Sequence, residues 1–331
     1  MKDIFTDMQA KIGCPYLSDL PYYKRTVWFE MKRLCLSDYP NTFTPEETAQ
    51  AHIKLYREID ADIIKVMDDN FGKMLTKDVR IQKTSDWRDI TLPGRDCEHY
   101  RRMESVIKLI SQEVGDEVMI FPTLWSPFKL ALFTLQAQGG SDETFMRDCK
   151  EDPESVIIGV QKIADVLADW TKGFLEAGAT GVYYAGQFSE PQRFSAEEWE
   201  KLVKPSDLTV LNAVKANGGR VVLHICGEVE HGYRTCPERY REYPCDIVNW
   251  DVHRSGVSLK EGHELFQKPI LGGMDNHGVL IEGTYEEIAE EAKRVVREYG
   301  KRGFMLGGDC TVPGNMDFGR LKAAIAAAKS V

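Results

Sequence analysis

The sequence predicts one (β/α)8 barrel, and three observations carry that expectation. Eight short apolar runs rich in β-branched residues recur along the 331 residues, most of them followed by a helical pattern. No G-x-G-x-x-G follows any of these runs and no G-x-x-x-x-G-K-[ST] occurs, so the phosphate loops expected of a competing doubly wound sheet are missing. No Gly/Ser or Pro-rich linker divides the chain, and no short-period repeat is visible. Residues 1–331 are therefore expected to form a single domain, in which residues 1–24 are a short N-terminal extension broken by Gly13, Pro15 and Pro21.

In order, Thr26 to Met31 reads as the first strand. Thr44-Pro45-Glu46-Glu47 is a capping box with proline at the first helical position, and it opens a helix with apolar positions at Ile53, Tyr56 and Ile59. Asp62 to Met67 is the second strand, followed by Asp68 and Asp69. A polar excursion from Lys77 to Asp96 leads to a helix over Cys97 to Val114. Val118 to Phe121 is the third strand, expected to end at Pro122. Phe128 to Gln136 is helical, Gly139-Gly140 breaks it, and Pro153 opens a long helix to Ala177. Gly181 to Tyr184 is the fourth strand. Ser195-Ala196-Glu197-Glu198 caps a helix running to Asn217. Arg220 to Leu223, Asp246 to Asn249 and Pro269 to Leu271 are strands five to seven. Thr284-Tyr285-Glu286-Glu287 caps a helix to Tyr299, Gly303 to Leu306 is the eighth strand, and a last helix runs from Asn315 to Lys329.

Composition narrows the function. A formal net charge of −10 argues against a general nucleic-acid or anionic-membrane binder. No run approaches the roughly 20 apolar residues that span a bilayer, and the first 20 residues lack the apolar core of a signal peptide. Eight cysteines occur without a C-x-x-C pair or a short secreted framework, so reduced thiols in a cytoplasmic protein are expected.

The chemistry is concentrated at two strand ends. Arg220 to Gly227 runs into His224-Ile225-Cys226-Gly227, and Phe304 to Cys310 ends in Gly307-Gly308-Asp309-Cys310. Side chains two apart in an extended chain point the same way, so His224 and Cys226 face one point about 7 Å apart along the strand. One zinc ion, at about 2.0 Å from nitrogen and 2.3 Å from sulfur, can bridge them, and Cys310 supplies a third ligand if the two strand ends meet. In a barrel they do meet at one mouth, the end where chemistry sits. Asp68, Tyr184, Asp251 and Asp275 fall at the same ends.

These segments resemble a known superfamily. Val222-Leu223-His224-Ile225-Cys226-Gly227 is similar to the zinc-site segment of the uroporphyrinogen decarboxylase-like methyltransferases. Cys245 to Asp251, Gly272-Gly273-Met274-Asp275 with Gly283 to Ile288, and Gly308-Asp309-Cys310-Thr311-Val312-Pro313 also fit. The resemblance runs from about residue 40 to the C-terminus and is strongest after residue 220. It implies one of two activities. True decarboxylases grip a polycarboxylate tetrapyrrole with an arginine-rich N-terminal segment. Here Phe29-Glu30-Met31-Lys32-Arg33-Leu34 departs from that pattern, while Asp68 or Asp69 is similar to the family's aspartate after the second strand. The zinc branch passes a methyl group from a methylcorrinoid, carried by a partner protein, to a thiol such as coenzyme M. His224, Cys226 and Cys310 match that branch.

The expected site follows. Two thiolates and a neutral imidazole leave zinc formally neutral, with a fourth position open for a thiol. Asp251 is the candidate resting ligand at that position. Tyr183, Tyr184, Trp125 and Phe128 are candidates for an aromatic wall against a corrin ring, and His277 for a substrate contact. Cys14, Cys35, Cys97, Cys149, Cys236 and Cys245 read as structural. A non-enzymatic corrinoid- or tetrapyrrole-binding protein would instead close its zinc with a fourth protein ligand.

Overall fold

The structure is a computed structural model that describes residues 44–66, 76, 78–227, 232–300, 302–310, 312 and 316–331. Seven parallel strands lie in chain order: β1 (Ile63–Val66), β2 (Met119–Trp125), β3 (Gly181–Gly186), β4 (Arg220–Ile225), β5 (Ile247–Trp250), β6 (Ile270–Met274) and β7 (Phe304–Gly308). They correspond to the second to eighth strands of the sequence reading. The expected first strand, Thr26 to Met31, lies outside the described residues.

Helices cover the outer face: α1 (Pro45–Ile59), α2 (Glu98–Val114), α3 (Pro127–Gln136), α4 (Asp142–Glu151), α5 (Pro153–Glu176), α6 (Ala196–Leu202), α7 (Lys204–Ala216), α8 (Val252–Ser255), α9 (Leu259–Phe266), α10 (Val279–Glu282), α11 (Tyr285–Tyr299) and α12 (Phe318–Lys329). The three capping boxes read from sequence form at α1, α6 and α11. At α1, the Thr44 hydroxyl accepts from Glu47 N (3.2 Å) and the Glu47 carboxylate accepts from Thr44 N (2.8 Å).

Three expectations need correction. The helix expected from Ser195 to Asn217 is two helices, α6 and α7. Pro205 stands at the start of α7, where a missing backbone donor costs least. Ser141 caps an additional helix, α4, after the glycine pair. Strand β2 continues past Pro122 to Trp125, because its pairing with β3 begins only at Thr123.

The pleat sorts side chains into two layers. Alternate residues Met119, Phe121, Tyr183, Val222, Ile247, Leu271 and Met305 form one inner cluster, with Ile63 against it. Every strand from β1 to β7 contributes, so the sheet curls around its own inner face. One pleat further along, Trp125, Ala185, His224 and Asn249 pair in register and form the next inward layer. The other parity, including Leu124, Tyr184, Leu223, Val248 and Trp250, packs in the larger core. At the periphery α12 meets α1: Lys322 Nζ lies 3.3 Å from Glu58, and Lys329 pairs with Asp60. Among the described residues no helix is long and apolar enough to cross a membrane.

Candidate metal centre

His224 ends the inward row of β4 and is 4% exposed. The chain keeps its strand course one residue further, because Cys226 N donates to Gly186 O at 2.9 Å. That places Cys226 on the same side as His224, as its spacing predicts. Across the mouth, Asp309 N donates to Met274 O at 2.9 Å and extends β7 toward Cys310. The donor atoms of His224, Cys226 and Cys310 all lie within 4.8 Å of one another. Cys310 Sγ is 3.4 Å from His224 Nε2.

The donor set fits a soft divalent cation. Two thiols and an imidazole are the ligand chemistry of zinc, and both cysteines are partly buried rather than sealed in the core. The Cys226 thiol is pushed well above its usual range, first by the adjacent Cys310 thiol and then by burial, while His224 pulls it back. Two neighbouring thiols resist losing both protons until a cation compensates them. His224 Nδ1 is engaged at 2.5 Å by Asn249 Oδ1, which leaves Nε2 for the shared space.

Carboxylates and cations frame this centre. Asp309 is fully buried and accepts from Gly273 N (3.1 Å), His253 N (3.2 Å) and His253 Nδ1 (2.6 Å). Burial pushes the Asp309 carboxyl up, with His253 opposing; the same contact raises the His253 imidazole. Arg254 reaches Asp251 Oδ2 (3.4 Å) and Asp275 Oδ1 (3.2 Å). Burial acts to raise the Asp275 carboxyl, but the His277 N–H, Arg254 and His253 together bring it below its ordinary value. The centre opens into a cavity of about 580 Å³.

The structure thus brings His224, Cys226 and Cys310 together, and it places Asp251, Trp125 and His277 on the same cavity wall. Asp251 is not in the close donor set. Its Oδ1 caps α8 by accepting from Arg254 N at 2.8 Å. Asp275 stands behind the wall on Arg254 and accepts from His277 N at 2.9 Å. Asp68 lies outside the described residues.

Tyr184 is corrected: it is not a wall of the mouth. Strand parity turns it outward, fully buried, with its hydroxyl on Asp207 Oδ1 at 2.5 Å. Phe128 is likewise core, packed on Phe145, Phe188 and Phe194. Tyr183, one residue earlier, points inward, and its hydroxyl donates to Asn249 Oδ1 at 3.1 Å. Cys97, Cys149, Cys236 and Cys245 stand apart from the donor set. Cys14 and Cys35 lie outside the described residues.

Sequence reasoning missed Lys129, Gln187 and Arg254, which also line the cavity, and Asn249 beneath it. Asn249 was findable, since it sits two residues after the inward Ile247 of a strand already identified. The other three follow strand ends, where period-two parity no longer applies.

A parallel α/β barrel with its donor cluster at the C-terminal strand ends belongs to the architecture that performs chemistry at that mouth. The chain belongs to the uroporphyrinogen decarboxylase (URO-D) family, whose model matches residues 67–331. It is 24% identical over 191 residues to a methylcobamide:CoM methyltransferase, MtbA, of Methanosarcina acetivorans, covering 57% of this chain and 52% of that protein. It is also 24% identical over 213 residues to a uroporphyrinogen decarboxylase of Crocosphaera subtropica, covering 62% of this chain and 56% of that one. The chain spans about half the length of these curated relatives. A solved methyltransferase from Methanosarcina mazei shares the fold, with a TM-score of 0.70 at 15% identity over 97% of this chain and 93% of that one.

Proposed function

We propose that this protein is a zinc-dependent methyltransferase. It moves a methyl group from a methylated corrinoid, presented by a corrinoid-binding partner protein, to a small thiol such as coenzyme M or homocysteine. The reading takes residues 1–331 as one barrel domain working in the cytoplasm. The observation that carries it is the convergence of His224, Cys226 and Cys310 beside an open cavity. The likeness to a relative named as a methylcobamide:CoM methyltransferase supports it.

When bound, zinc supplies a Lewis acid that makes a thiol a thiolate near neutral pH. The chain's own part is placement. His224, Cys226 and Cys310 would hold the ion on the side facing the cavity, where a small thiol can reach it. The cavity admits a small thiol, and Trp125 and Phe133 give it an apolar side (ring centroids 5.5 Å apart). His277, Asp251 and Arg254 form the polar side, with Arg254 held by Asp251 and, from behind the wall, by Asp275. Holding donor and acceptor in line there lowers the entropic cost of transfer.

A second reading, decarboxylation of a tetrapyrrole polycarboxylate, is favoured by the relative named as a uroporphyrinogen decarboxylase. One experiment separates the two. Zinc-loaded protein is mixed with methylcobalamin, alone and with lysate corrinoid proteins, and a panel of small thiols, while the corrinoid spectrum and the zinc X-ray absorption are followed. Methyl transfer expects demethylation with at least one thiol, one added sulfur neighbour at zinc, and loss of activity on chelation. Decarboxylation expects activity that survives chelation and no change at zinc. No demethylation with any thiol, and no added sulfur, refutes the methyltransferase reading.

A further inference from the structure

We infer that Asn249 is the positioning residue of the metal centre: it fixes the tautomer of His224 and ties that ligand to the strand end that carries Cys310. The inference rests on the metal reading of the site and assigns the work of holding it.

Asn249 is fully buried in β5, in register with His224 of β4. Its Nδ2 donates to two backbone carbonyls, Leu271 O of β6 at 2.9 Å and Gly308 O of β7 at 3.2 Å. Carbonyls only accept, so these two bonds use both amide hydrogens and leave one orientation for the carboxamide. Its Oδ1 must then face His224 Nδ1 (2.5 Å) and the Tyr183 hydroxyl (3.1 Å). An amide oxygen is an acceptor only, so the proton of the neutral imidazole resides on Nδ1. The lone pair is left on Nε2, the atom 3.4 Å from Cys310 Sγ.

The same side chain reaches the second ligand strand. Gly308 lies two residues before Cys310, and its carbonyl is held by Asn249. One amide therefore connects β3, β4, β6 and β7 across the inside of the sheet. It references the imidazole and one thiol to a single rigid point. A hydrocarbon side chain here would remove the acceptor of the imidazole N–H and the donors to both carbonyls. A carboxylate could serve the N–H but not the carbonyls. Outer partners of this kind, when removed, typically change metal affinity by about 10- to 100-fold.

Nitrogen-15 NMR of the zinc-free wild-type protein reads the tautomer directly. The Nδ1–H form of His224 is expected, and an Nε2–H form overturns the inference without any zinc measurement. Chelator competition then compares zinc affinity in wild type, Asn249→Ala and Asn249→Asp, with circular dichroism and Tm as controls. Asn249→Ala is expected to bind zinc about 10- to 100-fold more weakly and to lose the single tautomer. Asn249→Asp is expected to keep the tautomer, since it keeps the acceptor, and to shift the cobalt(II) absorption spectrum through displacement of Cys310. Tyr183→Phe is expected to leave the tautomer unchanged. Folded variants with wild-type tautomer, zinc affinity and cobalt spectrum refute the assignment. A wild type that binds no zinc refutes the metal reading, while the NMR result still decides the role of Asn249 toward His224.

Discussion

Asp207 gives the barrel a pH dependence that a single substitution removes. The carboxyl is fully buried between α7 and β3, where its oxygens accept from Tyr184 (2.5 Å) and Tyr243 (2.9 Å). Burial pushes it up to about 7, with the two phenol hydrogen bonds pulling back. In the unfolded chain the group ionises near about 3.9. Between those values the folded state holds a proton that the unfolded state has released, so the folded state binds more protons and stability falls as pH rises. The contribution is fully present below about pH 4 and is lost by the time pH has passed about 7. The interval of about 3 pH units, at about 1.4 kcal/mol each, makes the loss about 4 kcal/mol as an order of magnitude. Asp207→Asn has no charge to bury, so its profile lacks this slope. Urea unfolding of both proteins at intervals from pH 4.5 to about 8 isolates the effect as a difference, in which the other titrating groups cancel. The variant should gain on wild type by a few kcal/mol across that range. Parallel profiles would mean that Asp207 is ionised in the folded protein throughout, and the burial argument would be wrong.

Three further outcomes are expected on the proposed reading of the site as a zinc-dependent methyltransferase centre holding one zinc per chain. Cys226→Ser and Cys310→Ser should each lose the single zinc per chain while circular dichroism stays unchanged, because a barrel of this size has a core that needs no metal staple; zinc analysis after dialysis against a chelator checks this, and retention at wild-type affinity removes that cysteine from the ligand set. Tyr184→Phe should cost about 1–3 kcal/mol in urea unfolding, since it takes a donor from buried Asp207, and should leave thiol binding unchanged; an altered thiol affinity would return Tyr184 to the mouth. Trp125→Ala should raise KM for the transferred group's donor or acceptor with little change in zinc content, because the ring lines the cavity and not the donor set; a kcat effect with KM intact would contradict that placement.

How far the sequence could be read depends on which information a strand carries by itself. His224 and Cys226 share a strand, so their common direction follows from the period of two, and the structure keeps it to the residue after β4. Cys310 is reached through the strand count and the family resemblance and not through local pattern, because nothing local to Gly307-Gly308-Asp309-Cys310 says which other strand end it meets; the barrel supplies that distance. Parity is relative, and that is why Tyr183 and Tyr184 were both placed at the mouth. Either could point inward until the register with Val222 and Leu223 fixes the matter. Once Tyr183 is inward, Asn249 must be inward too, two pleats round the sheet, and Tyr184 must meet the helix that carries Asp207. The capping signal at Ser195 hid that helix, since Pro205 reads as a flaw inside one long element rather than as the first turn of the next. Lys129, Gln187 and Arg254 come from segments beyond the strand ends, where the backbone leaves extended geometry; Phe188 at φ +66° marks such a departure right beside Gln187. Chemistry that follows from strand alternation was therefore visible in the letters. Chemistry that depends on where a loop turns, or on which strands neighbour each other across the barrel, needed the fold.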